Sequence, residues 1–146
     1  MKMIYFDLEE LVCPHVFKKY GEVAWSFFDH RLLETMDLIR QKIGRPIFVN
    51  DWKDGPTVYF DERGFRCIQC DLVKKAIADN TLYVSAHMTG QGFDFNCEGM
   101  VAEEVRQWII KNQNLLPYSI RLEAGTSWIH LDMRNMTDKK VTLFNK

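Results

Sequence analysis

The feature that most constrains the fold lies near the C-terminus. Two segments, 119–123 and 128–134, each alternate apolar and polar residues, and they flank Ala124-Gly125-Thr126-Ser127. A Gly-bearing connection between alternating runs reads as a β-hairpin. Val141-Thr142-Leu143-Phe144 reads as a further strand. Upstream the pattern is helical. Leu32, Leu33, Met36, Ile39 and Ile43 recur at helical spacing from about Asp29, and Gly44 is placed to end that helix. Asp71 to Ala78 reads as a short helix, and Val101 to Lys111 as a longer one with Val101, Val105, Trp108 and Ile109 on one face. Asp7 and Glu10 form a capping-box-like start for a short early helix. Ile47–Val49 and Thr81–Val84 read as short strands, and residues 50–66, rich in Asp, Gly and Arg, as a long loop of the kind that often carries function. Helices first and strands later favour an α+β fold over a doubly wound sheet.

Length and charge narrow the function classes. The chain has 146 residues, which suits one domain spanning 1–146, and 47% of them are hydrophobic, enough for a real core. The net charge is -1, with the basic residues scattered, so no electrostatic argument points to nucleic acid. No apolar run approaches the roughly 20 residues of a membrane span, so no stable membrane insertion is expected. Asp7, Glu9 and Glu10 fall where a signal peptide would be apolar, which predicts synthesis in the cytoplasm without a signal peptide. The four cysteines are then expected to be reduced thiols.

Two segments carry chemistry: Ser85-Ala86-His87-Met88-Thr89-Gly90-Gln91-Gly92-Phe93-Asp94 and Trp128-Ile129-His130-Leu131-Asp132. Two His and one Asp suit zinc, which takes imidazole nitrogen and carboxylate oxygen and leaves room for water at a catalytic site. Gly90 and Gly92 allow a tight backbone between His87 and Asp94. A four-residue turn over 124–127 would pair Glu123 with Trp128 and Arg121 with His130. Alternation would then put Arg121, Glu123, Trp128, His130 and Asp132 on one face.

The pattern S-x-H-x-x-G-x-x-x-D followed by W-x-H resembles the zinc D-alanyl-D-alanine carboxypeptidases and their relatives, which include phage peptidoglycan endopeptidases and the signalling domain of hedgehog proteins. The similarity covers roughly residues 30–135. It implies a hedgehog/DD-peptidase-like fold with a small antiparallel sheet under the metal and helices around it. It also implies one Zn2+ per chain on His87, Asp94 and His130, and hydrolysis of peptidoglycan stem peptides by a metallopeptidase, of carboxypeptidase or endopeptidase type. A phage or prophage origin, with release to the cell wall, fits that implication.

The chain departs from the family pattern in two places that matter. Many members carry an acidic general base about three residues before the last ligand, where this chain has Ser127. Glu123 is the nearest acidic alternative and the nominated base, against a reading as a turn-flanking surface carboxylate. Asp132 shares its face and could instead orient His130. Active relatives usually carry an Arg after the first strand, where this chain has Val49-Asn50-Asp51-Trp52. Arg66, Arg63 or Arg121 could serve, and Ser85 of the first motif is a further candidate for substrate contact. These departures leave a second reading open, a zinc-bearing structural or cell-wall-binding module without turnover. Cys67-x-x-Cys70 lacks a sequence-adjacent partner pair, so buried free thiols are the expectation there, and His15 and His30 are expected to be structural.

Overall fold

The computed structural model describes residues 2–146. Its N-terminal half is helical: α1 (Leu8–Leu11), α2 (Pro14–Tyr20), a 3-10 segment (Gly21–Phe27) and α3 (His30–Ile43). The Glu10 carboxylate accepts from the Asp7 N–H at 2.7 Å, closing the capping box at α1. Asp29 caps α3 through the Arg31 N–H, and Gly44 ends the helix in the left-handed conformation. After β1 (Ile47–Phe48) a long irregular stretch leads to α4 (Asp71–Ala78). The remaining elements are β2 (Gly92–Cys97), α5 (Ala102–Lys111), β3 (Ile120–Glu123), β4 (Ile129–Asp132) and β5 (Val141–Phe144). No helix among the described residues is long and apolar enough to cross a membrane.

The five strands form one sheet in the order β1-β2-β4-β3-β5. Period-2 alternation divides it. Phe93, Phe95, Ile120, Leu122, Ile129 and Leu131 are fully buried and join Leu32, Leu33, Met36 and Ile39 of α3 and Val105 and Ile109 of α5 in one core. Each such side chain stabilises the fold by about 1.5–3 kcal/mol relative to exposure. The intervening positions (Asp94, Arg121, Glu123, His130, Asp132) take the opposite face. The sheet thus separates a dry core from a polar site.

Four sequence expectations need correction. The sheet is not wholly antiparallel, because β5 runs parallel to β3. Both neighbours of β4 are already taken by β2 and β3, so the returning chain must join the free edge of β3, and it arrives running the same way. The hairpin register is shifted by two residues: Arg121 lies opposite Asp132 and Leu122 opposite Leu131. The cause is a wider turn, built over the Arg106 guanidinium, which donates to the Trp128 carbonyl at 3.0 Å and the Thr126 carbonyl at 2.9 Å. A two-residue shift preserves side-chain parity, so Arg121, Glu123, His130 and Asp132 still share a face. Thr81–Val84 forms no strand; Thr81, Leu82 and Val84 are exposed, and the segment is held by Arg134, which donates to the Val84 carbonyl. Val101 is 66% exposed because it is the residue preceding α5 and lies off the helix face.

Candidate metal centre

Strand register builds the centre. Asp94 on β2 and His130 on β4 are direct cross-strand partners, so their Cβ atoms sit about 4.5–5.5 Å apart. His130 Nδ1 lies 2.8 Å from Asp94 Oδ1. His87 comes from the turn preceding β2, and its Nε2 lies 3.3 Å from Asp94 Oδ2. Gly90 makes that turn possible. Its φ is +68°, and a Cβ there would lie 2.0 Å from the Phe27 carbonyl oxygen.

Both imidazoles are held from behind. His87 Nδ1 is 2.9 Å from the Gly64 carbonyl, which makes Nδ1 the donor and leaves Nε2 free to face Asp94. His130 Nε2 is 2.8 Å from Asp132 Oδ2. Asp132 is itself gripped by the Arg121 fork at 2.9 and 2.8 Å and by the Arg134 N–H at 2.9 Å. A carboxylate behind a histidine is the arrangement that orients metal-binding imidazoles and raises their basicity.

The donor set fits a divalent ion. One ligand atom from each of His87, Asp94 and His130 lies within 4.8 Å of the others. Bonds of ~2.0–2.1 Å in a tetrahedron give ligand–ligand edges of ~3.3 Å, and His87 Nε2 and Asp94 Oδ2 are already at 3.3 Å. The residues are preorganised: His87, Asp94 and His130 are all buried, and Asp132 is wholly so.

Burial opposes ionisation of Asp94, but the hydrogen bond with His130 prevails and holds its carboxyl well below the usual range. Burial lowers the His87 pKa. Burial also opposes charge on His130, yet hydrogen bonds to Asp132 and Asp94 outweigh it and raise the pKa to about 9. The metal-free centre therefore carries a proton on His130 at neutral pH, and an ion must displace it. Zinc affinity at this centre should rise about tenfold per pH unit from near neutrality to about pH 9 and level off above, with about one proton released per ion. Calorimetry in buffers of different ionisation enthalpy, as the difference between wild type and His130→Ala, reads that proton. No release at pH 7 would show His130 already neutral.

The centre lies in a cleft of about 510 Å³ that Arg66, Ser85, Arg121, Glu123 and Trp128 also line. Continuing the β3–β4 register puts Glu123 opposite His130, and Glu123 is 8% exposed. It is a buried cleft residue and not a surface flank of the turn. Arg66 reaches Asp94 at 3.3 Å and donates to the Tyr83 hydroxyl and the Glu62 carbonyl. Arg121 lines the cleft, but its Nε and one terminal nitrogen are engaged by Asp132. The Ser85 hydroxyl is buried and has no hydrogen-bond partner among the described residues. Arg63 sits apart from the cleft lining, stacked on Phe60 at 4.4 Å and bonded to Asn96. Ser127 is exposed, with its carbonyl taken by Asn96.

A second group of metal-ligating side chains was not expected from sequence. Cys13, His15, Cys67 and Cys70 each bring one ligand atom within 4.8 Å of the others. His15 thus stands beside three thiols, and Cys67-x-x-Cys70 does have partners in the fold. The missing signal was distance along the chain: Cys13-x-His15 and Cys67-x-x-Cys70 meet only in the fold. Comparison with family models, curated proteins and solved structures finds no match for this chain.

Proposed function

We propose that the chain is a zinc metallopeptidase of the hedgehog/DD-peptidase type that hydrolyses peptidoglycan stem peptides. The observation that carries the reading is the convergence of His87, Asp94 and His130 on the floor of a cleft that also holds a carboxylate, an arginine and an unpartnered hydroxyl. The peptide class comes from the motif resemblance, with S-x-H-x-x-G-x-x-x-D and W-x-H supplying the three ligands.

Zinc bound there would polarise the scissile carbonyl and acidify water. The protein's own groups supply the rest. Glu123 accepts the proton of the attacking water and returns it to the leaving amine. Arg66, held by the Glu62 carbonyl, the Tyr83 hydroxyl and Asp94, adds positive charge to the cleft that would favour a substrate carboxylate, and Ser85 lines the cleft beside it. Asp132 and the Gly64 carbonyl keep the two imidazoles aimed, so little reorganisation is needed at the moment of reaction.

Glu123→Gln should lower hydrolysis of purified muropeptides about 10²–10⁴-fold while zinc content is unchanged. Wild-type turnover in this variant would remove Glu123 from the base role. The absence of an acid at position 127 and of an Arg at 49–52 favours a second reading, a zinc-bearing wall-binding module. Tight zinc binding with no muropeptide cleavage by the wild type would select it.

A further inference from the structure

Cys13, His15, Cys67 and Cys70 form a cage separate from the cleft. The sulfurs of Cys13 and Cys67 are 3.6 Å apart, and those of Cys67 and Cys70 are 4.0 Å apart. His15 Nδ1 is 3.6 Å from the Cys67 sulfur and 3.9 Å from that of Cys70. Zn–S bonds of ~2.3 Å and Zn–N bonds of ~2.0–2.1 Å in a tetrahedron give S···S edges of ~3.8 Å and S···N edges of ~3.6 Å. The observed separations match these edges. They are far from a disulfide, whose sulfurs sit at ~2.05 Å, and all four cysteines of the chain are free.

The backbone around the cage is fixed independently of the thiols. Val12 and Phe65 form a parallel bridge, and the Phe65 N–H donates to the Leu11 carbonyl at 2.7 Å. The Asn50 amide and the Trp52 indole both donate to the Val12 carbonyl. Cys67 and Cys70 sit on one tight turn, in which the Cys70 N–H donates to the Cys67 carbonyl at 3.1 Å. The Gln69 N–H points at the Cys67 sulfur at 3.3 Å, the kind of contact that stabilises a ligating thiolate. Cys13 and Cys70 are buried, and His15 closes the cage from the solvent side.

We infer that Cys13, His15, Cys67 and Cys70 hold a structural zinc ion. Three thiolates and one imidazole form the soft tetrahedral set that selects zinc over hard cations, and four protein ligands leave no position open for a substrate. The ion ties the start of α2 to the segment that enters α4. Between the bridge at Phe65 and Cys67 stands Arg66, which enters the catalytic cleft, and next to Phe65 stands Gly64, whose carbonyl aims His87. The cage thus anchors the strip of chain that serves the first centre.

Cobalt(II) separates the two centres, because thiolate-to-cobalt charge transfer arises only where sulfur ligates. Protein purified under reducing conditions, stripped and reloaded with cobalt, should show this band in the wild type and in His130→Ala. It should be lost in the Cys67→Ser/Cys70→Ser double variant. Elemental analysis should find one zinc per chain more in the wild type than in the double variant. The wild-type spectrum keeps the test decisive if the double variant does not fold. A wild type without the charge-transfer band overturns the inference, as does a band that persists in the double variant. Loss of two titratable thiols to a Cys13–Cys67 disulfide in freshly purified, metal-free protein would overturn it too.

Discussion

Replacing His130 with Ala should remove one metal ion per chain relative to the wild type. Structural zinc binds with on the order of 10–16 kcal/mol, so deleting one of three protein ligands costs roughly 3–5 kcal/mol, or about 10²–10⁴ in affinity. Asp132→Asn tests the support behind the same imidazole. It leaves all three ligands in place but weakens the hydrogen bond that orients His130 and raises its basicity. An affinity loss of about 10–100-fold is expected there, between wild type and His130→Ala. Competition with a chelator of known affinity reads both variants on one scale. Unchanged zinc content in dialysed His130→Ala would refute the centre. An Asp132→Asn variant as weak as His130→Ala would mean Asp132 does more than orient its neighbour, and the Arg121 pair behind it would be the next position to change.

Gly64→Ala is expected to be strongly damaging although it adds a single methyl group. A Cβ at position 64 would lie 2.0 Å from the Leu11 carbonyl oxygen and 2.5 Å from its carbon. Both are backbone atoms, so no rotamer change relieves the clash. The segment must move away from Leu11, which breaks the Phe65 N–H to Leu11 bond and displaces the carbonyl behind His87. Overpacking of this kind costs about 3 kcal/mol or more. For a domain of this size that is roughly a 10 °C fall in Tm, by scanning calorimetry of the metal-free protein. Zinc affinity should fall as well, because His87 loses its fixed tautomer. A Tm within about 2 °C of wild type would show that Gly64 can yield without strain.

Local signals carried well from sequence to structure, and long-range ones did not. The helix ending at Gly44, the capping box at Asp7 and Glu10, and the helix at Asp71–Ala78 are all short-range patterns, and all are present. The site face of the hairpin was legible because side-chain parity survives a two-residue shift. Its register was not, since the turn is shaped by Arg106, a residue of α5 with no local mark in the hairpin. β2 was hidden inside the ligand motif: Phe93-Asp94-Phe95 alternates, but the glycines before it read as loop. The cysteine cage needed two segments far apart in sequence, and the Gly64 carbonyl behind His87 is a backbone atom that no residue type announces.

The pairing of Asp94 with His130 has a practical consequence for preparing this protein. Short strands can anneal out of alignment. A slip of one position would bring Phe93 or Phe95 against His130, and a slip of two would carry the carboxylate about 7 Å away. Neither product could chelate at the His87–Asp94–His130 centre. Under the proposed metal assignment, the stoichiometry of an ion taken up there would count molecules whose β2 and β4 annealed correctly. It grades a recombinant batch on a criterion that far-ultraviolet dichroism, blind to strand alignment, does not supply.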